Sequence, residues 1–224
     1  MNRMAYLCLP LGLFAATQAN AELYGNFGVA SDYLWRGTSL SDGAPAVSAG
    51  LDYLGESGFY VGGWASSVDF GDDTSYEVDL YGGYAGELSG LGFDLGYIYY
   101  AYPNAGFEGE SYDADFGELY AKLNWKGLGL ETAYTTNTDS GAEIYEDALY
   151  VALSAEYGLS ETLVISASVG KTFWDVATEE DYIDYKITLT KTTQVGDVYW
   201  AVSDTDKSQD DPKFLVGWLY AFEL

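Results

Sequence analysis

Glu77 and Asp79 stand two residues apart in the stretch "YEVDLYGGYAG". On an extended chain that spacing puts both carboxylates on one face, where a pair can exchange a proton or hold a cation. The sequence contains no histidine, and its single cysteine is Cys8. That excludes serine or aspartate chemistry run through a histidine, and zinc sites of the Cys/His type. Only a carboxylate-based mechanism is left to the pair. Paired carboxylates more often just face water, and that is the reading adopted.

Three other groups carry chemical potential. Arg36 is the only arginine beyond Arg3. It reads as a constriction residue held by carboxylates such as Asp32, or equally as a strand-end arginine paired for structure. Tyr81, Tyr100, Tyr120, Tyr150 and Tyr199 share a face with carboxylates. They can cage a cationic solute by cation–π attraction, or simply pack around glycines. In "DTDKSQDD", Asp204, Asp206, Ser208 and Asp210 alternate as at the start of a calcium loop. Gln209 replaces the bend glycine and Leu215 stands in place of the distal glutamate. A solvated acidic loop follows, with weak divalent-cation binding as the alternative.

The elements that position these groups are strands. Apolar and polar residues alternate in twelve segments, the period of a strand with two unlike faces. Val47, Ala49, Leu51 and Tyr53 oppose Ser48, Gly50 and Asp52; Tyr76, Val78, Leu80 and Tyr84 oppose Glu77, Asp79 and Tyr81. The last segment, "FLVGWLYAFEL", puts Phe214, Val216, Trp218, Tyr220, Phe222 and Leu224 on one side. The first is read as one strand from Leu23 to Arg36, with Phe27, Val29, Tyr33 and Trp35 on its apolar face.

Short connections near 55–58, 87–92, 126–127, 158–161 and 193–197 alternate with mostly longer acidic ones near 38–44, 70–75, 103–111, 137–145, 174–181 and 204–212. An even strand number, a short-turn end and a long-loop end predict an outer-membrane β-barrel. A membrane accepts a sheet only when it is closed, because an open edge leaves backbone groups unpaired in lipid. A secreted β-sandwich or lipocalin-like barrel also alternates, but its outer face is charged; here the polar face is rich in Gly, Ser, Ala and Tyr. Aromatics gather near the short turns (Tyr53, Tyr60, Tyr84, Phe93, Trp125, Tyr157) and near the long loops (Trp35, Tyr76, Tyr134, Phe173, Tyr182), as two interfacial girdles would. The tail strand is expected to face lipid and close the barrel against the first strand. A polar change at Gly217, on its other face, is expected to be milder than one at Trp218.

The N-terminus has Arg3, an apolar run from Met4 to Ala16 and the small-x-small site Ala19-Asn20-Ala21. These are the marks of a cleaved secretory leader over 1–21, leaving a single barrel domain over 22–224. The apolar run is too short for a spanning helix, which needs about 20 residues. Cys8 sits inside it, without the preceding residues of a lipoprotein site. With Arg3 in the leader, eight basic residues face 35 acidic ones. Such a chain repels nucleic acid.

By parity the lumen holds Asp32, Asp52, Glu77, Asp79, Asp94, Glu118, Glu131, Glu156 and Asp184 against Arg36, Lys122 and Lys186. An excess of carboxylates predicts a cation- or zwitterion-preferring interior. The bland alternative is a set of internal ion pairs that fills space.

The stretches "SDYLWRGTSLSDGAPAVSAGLDY", "GFYVGGWASSVDF", "YEVDLYGGYAG" and "DLGYIYYAYP" resemble the proteobacterial TorF-type porin family, also called the Gcw_chp domain. The resemblance covers essentially the whole mature chain and is densest from Ser31 to Pro103. It implies a porin-like outer-membrane protein of a Gram-negative bacterium, and it carries over no catalytic or ligand residues.

The combined expectation is an all-β, up-and-down transmembrane barrel of about twelve strands, a passive channel for small solutes and not an enzyme. The alternative is a non-conducting barrel with a structural or surface role. No cofactor, metal or nucleic-acid partner is expected. Outer-membrane lipid, lipopolysaccharide and, during biogenesis, the barrel-assembly machinery are.

Overall fold

The computed structural model describes residues 21–208 and 210–224. The expected leader, with Cys8, thus lies outside the described residues except for Ala21, and so does Gln209. Sixteen strands run in chain order: β1 (Glu22–Ala30), β2 (Leu34–Trp35), β3 (Thr38–Ser39), β4 (Ala46–Leu54), β5 (Phe59–Ser67), β6 (Tyr76–Leu88), β7 (Leu91–Ala101) and β8 (Gly106–Phe107). Then come β9 (Glu110–Ser111), β10 (Phe116–Trp125), β11 (Leu128–Thr138), β12 (Leu149–Ser160), β13 (Leu163–Phe173), β14 (Tyr182–Thr193), β15 (Gly196–Thr205) and β16 (Lys213–Glu223).

Twelve of them close a barrel in the order β1-β16-β15-β14-β13-β12-β11-β10-β7-β6-β5-β4. Every neighbouring pair is antiparallel, and the tail closes it: Val29 pairs with Trp218 and Phe27 with Tyr220. The short pairs β2-β3 and β8-β9 lie in long loops and are no part of the wall. Among the described residues no helix is long and apolar enough to cross a membrane.

The two faces follow sequence parity. Val47, Leu51, Leu80, Leu95, Leu153, Ile187 and Phe214 are exposed on the outside, while Asp52, Glu77, Asp79, Asp94 and Glu118 are buried inside. An apolar exterior around a polar interior is the inverse of a soluble domain, and it suits lipid.

Tyrosine and glycine abundance has a common cause. Inside the barrel Tyr60 pairs directly with Gly83 and Tyr81 with Gly62. Tyr120 pairs with Gly96, and Tyr199 with Gly217. Each ring lies over its glycine where a Cβ would stand. The glycine makes room for the ring, and the ring covers the glycine backbone. This corrects the expected mildness at Gly217, since any side chain there must first move the Tyr199 ring.

The first strand departs from expectation. It ends at Ala30, and residues 31–45 turn into the barrel. Trp35 packs against Tyr100 and Phe116 inside, and Tyr33 against Trp64. Trp35 is therefore no girdle residue. Nor are Tyr60 and Tyr182, both buried within the lumen. Alternation alone could not separate an interior aromatic near a strand end from an interfacial one.

Candidate functional site: the barrel lumen

Residues 31–45 cross the bore as a bar built around a tight hairpin. Leu34–Trp35 pairs with Thr38–Ser39, and both turn residues have positive φ, 49° at Arg36 and 80° at Gly37. A two-residue loop with φ positive at both positions matches the twist of its strands. Gly37 is also pressed against the far wall: a Cβ there would lie 2.6 Å from Thr205 Cγ2. Within the bar, Asp32 accepts hydrogen bonds from the Ser39 hydroxyl (2.6 Å) and the Ser41 hydroxyl (2.9 Å). Asp32 thus serves the loop's own fold, and it is not the partner of Arg36.

That partner is Glu118 on β10. Arg36 Nη1 and Nη2 donate to Glu118 Oε1 and Oε2 at 2.9 and 2.8 Å, a bidentate charge-assisted pair. The two side chains are 8% and 1% exposed, so little solvent screens them. The guanidinium also stacks between two rings, 4.1 Å from the Trp35 centroid and 4.3 Å from that of Tyr150. The register of β10 on β11 shifts between Gly117 and Glu118. Such an irregularity re-aims the side chain beside it. The tip is held on β14 as well, where the Tyr182 hydroxyl donates to the Arg36 carbonyl at 3.1 Å.

Arg36 and Asp32 are therefore placed by a loop, correcting the expectation that both lie on the first strand. The tyrosine cage exists in part, but the chain's own arginine sits in it.

The carboxylates divide into two groups. Under the bar, Glu77 accepts from Tyr33 (2.7 Å) and Tyr102 (2.6 Å). Asp79 beside it has neither oxygen hydrogen-bonded to protein. Both residues are 0% exposed, so a substrate has no access to them for acid–base chemistry. Asp52 accepts from Tyr81 at 2.5 Å and Asp94 from Tyr60 at 2.6 Å; the Tyr60 hydroxyl also meets that of Tyr120.

The second group lines a cavity of about 170 Å³ along the β10–β15 side. Trp35, Tyr100, Tyr120 and Tyr150 form an aromatic wall. Ser154, Ser166, Ser168, Thr188 and Ser203 form a hydroxyl wall. Its charged residues are Arg36, Lys122 and Lys186 with Glu118, Glu131 and Asp184. Lys122 Nζ lies 3.5 Å from Glu131. Glu156 lies apart from this cavity, exposed on the inner face of β12.

The hydroxyl wall was not singled out from sequence. Its signal was the small-residue parity of "LVISASVG", which marks a face but not what stands opposite it. Asp204 and Asp206 do not converge with Asp210 on a cation. Asp206 accepts from the Ile183 amide at 2.6 Å, and Asp210 pairs with Lys213. Among the described residues no group of three or more His, Cys, Asp or Glu is arranged to hold a metal ion.

The fold is shared with solved outer-membrane porins. A KdgM porin aligns with a TM-score of 0.57 and 11% identity, covering 90% of this chain and 99% of that one. A KdgM porin in complex with disordered oligogalacturonate aligns at 0.58 and 10% identity over the same shares. A chain solved in work on in-meso crystallization of membrane proteins aligns at 0.57 and 9% identity, covering 90% of this chain and 84% of that one. Such identities speak for the fold alone. Comparison with curated proteins finds no match. The family of bacterial proteins of unknown function called Gcw_chp has a model that matches residues 15–215, and this chain belongs to that family.

Proposed function

We propose that the protein is a porin-like channel of a Gram-negative outer membrane, passing small polar solutes by diffusion, zwitterions foremost. The porin-like barrel with its lipid-suited exterior supports the membrane setting, as does the TorF-type resemblance. In that setting lipid and lipopolysaccharide surround the outer face, and the barrel-assembly machinery receives the β16 tail.

One observation carries the solute class: the charged residues of the cavity are three basic and three acidic. The nine-to-three count over the whole lumen exaggerates the field met by a solute. Asp52, Asp94 and Glu77 are capped by tyrosines, and Asp32 belongs to the loop. A balanced wall beside hydroxyls and aromatic faces offers both signs of partner to a zwitterion and no strong net field to a simple ion. The oligogalacturonate held by a KdgM porin is a polyanion, which this wall does not attract.

Planar-bilayer recording of the refolded protein tests the reading. Small, weakly ion-selective conductance that a zwitterionic amino acid reduces is expected. Strong cation selectivity would overturn the solute class. An absence of conductance would overturn the channel and favour a structural barrel, the reading to which the bar across the bore lends support.

A further inference from the structure

Residues 31–45 leave the wall at β1 and return at β4, which are neighbours in the ring. Their tip reaches β10 through Glu118, β12 through Tyr150 and β14 through Tyr182. β12 lies five strands from β1 one way round the ring and six from β4 the other way, so the tip stands nearly opposite its root. A loop anchored on both sides of a closed bore divides it.

The division is unequal. Toward β4–β7 the space is filled: Tyr33, Tyr102 and Glu77 form one hydrogen-bonded knot there, with Trp64 packed on Tyr33. Toward β11–β15 the cavity lies open, walled by short hydroxyl side chains. The anchors differ in kind too. The root is braced by the loop's own hydrogen bonds around Asp32 and by the Asp69 amide on the Leu40 carbonyl at 2.8 Å. The Arg36 side chain supplies the tip's ion pair and both of its ring contacts with the guanidinium.

We propose that the Arg36–Glu118 pair determines the size selectivity of this channel: it latches residues 31–45 across the bore, confining solutes to the β11–β15 side. This rests on the channel reading above. Breaking the latch leaves the root folded and loosens the tip, which keeps only the Tyr182 and Lys207 hydrogen bonds and the Trp35 packing, so the bore widens and the space under the bar meets water. A twelve-stranded barrel stands between eight-stranded ones that side chains fill and sixteen-stranded ones with wide channels, so one crossing loop is enough to set its limit.

The test uses Arg36→Ala in the full chain, with barrel closure checked by heat-modifiable gel mobility. Two readouts are taken. In bilayers and in liposome swelling with neutral sugars of graded size, R36A should conduct at least about two-fold more and admit larger sugars. Independently, a cysteine at Asp79, placed in otherwise wild-type protein and in R36A, is titrated with a charged thiol reagent. Asp79 has no protein partner to lose, and the only native cysteine is Cys8 in the leader. Labelling should be slow with Arg36 present and at least about ten-fold faster without it, as burial is relieved. A second variant, R36C/E118C, restores the latch chemically. It should be wide when unmodified and narrow once a bifunctional methanethiosulfonate bridges the two thiols.

Unchanged size limit in R36A together with protected Asp79→Cys would overturn the proposal. So would a bridged R36C/E118C that stays wide. If neither wild type nor variants conduct, the channel reading falls, and the size-selectivity claim falls with it. The labelling result then still decides whether Arg36 latches the bar.

Discussion

The Tyr60 hydroxyl donates to Asp94 at 2.6 Å from β5 across β6 to β7, on the inner face of the barrel. With Tyr81 on Asp52 it shows how the interior keeps two of its carboxylates: each of these takes a phenol as donor and is covered by the ring that brings it. A hydrogen bond to a charged acceptor compensates part of the burial cost, and Asp94 also has Lys122 directly across the β7–β10 pair.

Selectivity should accordingly depend on which carboxylate is removed. Neutralising Glu131 as Gln strips a cavity acid and leaves Lys122 in excess, so the reversal potential in a salt gradient should move toward anion preference. Asp94→Asn should move it little. Equal shifts from the two variants would mean that the tyrosine-capped acids also face the permeating solute.

The tyrosine-over-glycine packing predicts an unusual intolerance of small changes. A Cβ at Gly96 would lie on the Tyr120 hydroxyl and 2.8 Å from the Gly82 carbonyl oxygen, which is backbone and cannot swing away. Gly96→Ala should destabilise the barrel by about 1–3 kcal/mol, the usual cost of overpacking. Urea unfolding from lipid vesicles measures it. Gly90, with open space around its missing Cβ but φ of 83°, separates backbone strain from this crowding.

The lipid and lumen faces should separate cleanly on β12 and β14. Ile187, exposed on the outer face midway along β14, should cost about 2–4 kcal/mol when changed to Arg in a bilayer. Trp218 is a milder site for the same change, because its indole donates to the Val195 carbonyl in the turn beside the membrane edge. Cysteine at Ser154 should react with a water-soluble thiol reagent in the folded protein, and cysteine at Leu153 should not. The reverse pattern would invert the faces.

Acid should loosen the loop before β16. Burial raises the Asp210 carboxyl's affinity for its proton, but the ion pair with Lys213 and the Thr205 hydroxyl outweigh it, so its pKa is lowered. A lowered folded-state value means that the stabilisation is present above the ordinary carboxylate range and is lost as pH falls through the lowered value. Hydrogen exchange over 204–212 should be protected at neutral pH and accelerate in that acid window. In Lys213→Ala the acceleration should begin at higher pH. An unchanged profile would show that the pair does not order the loop.

Parity in the sequence determined most of the wall. Side chains alternate at every residue of a strand, so Val47 and Asp52, or Leu80 and Asp79, declare their faces without knowledge of any neighbour. The even strand count and alternating connection lengths then leave a closed up-and-down barrel as the arrangement that satisfies every backbone group in lipid.

What fills the barrel was not legible in the same way. Phe27, Val29, Tyr33 and Trp35 share one parity across Ser31, yet the strand stops at Ala30 and the chain turns inward. The reason lies 82 residues away, where Glu118 offers Arg36 a bidentate partner. Likewise nothing near Asp94 says that Tyr60 will cap it, nor near Gly96 that Tyr120 will cover it. Those contacts run between strands, and only the register of the closed sheet brings the partners together. Local periodicity sets which face a residue occupies; which residue it meets there is decided by pairing across the barrel.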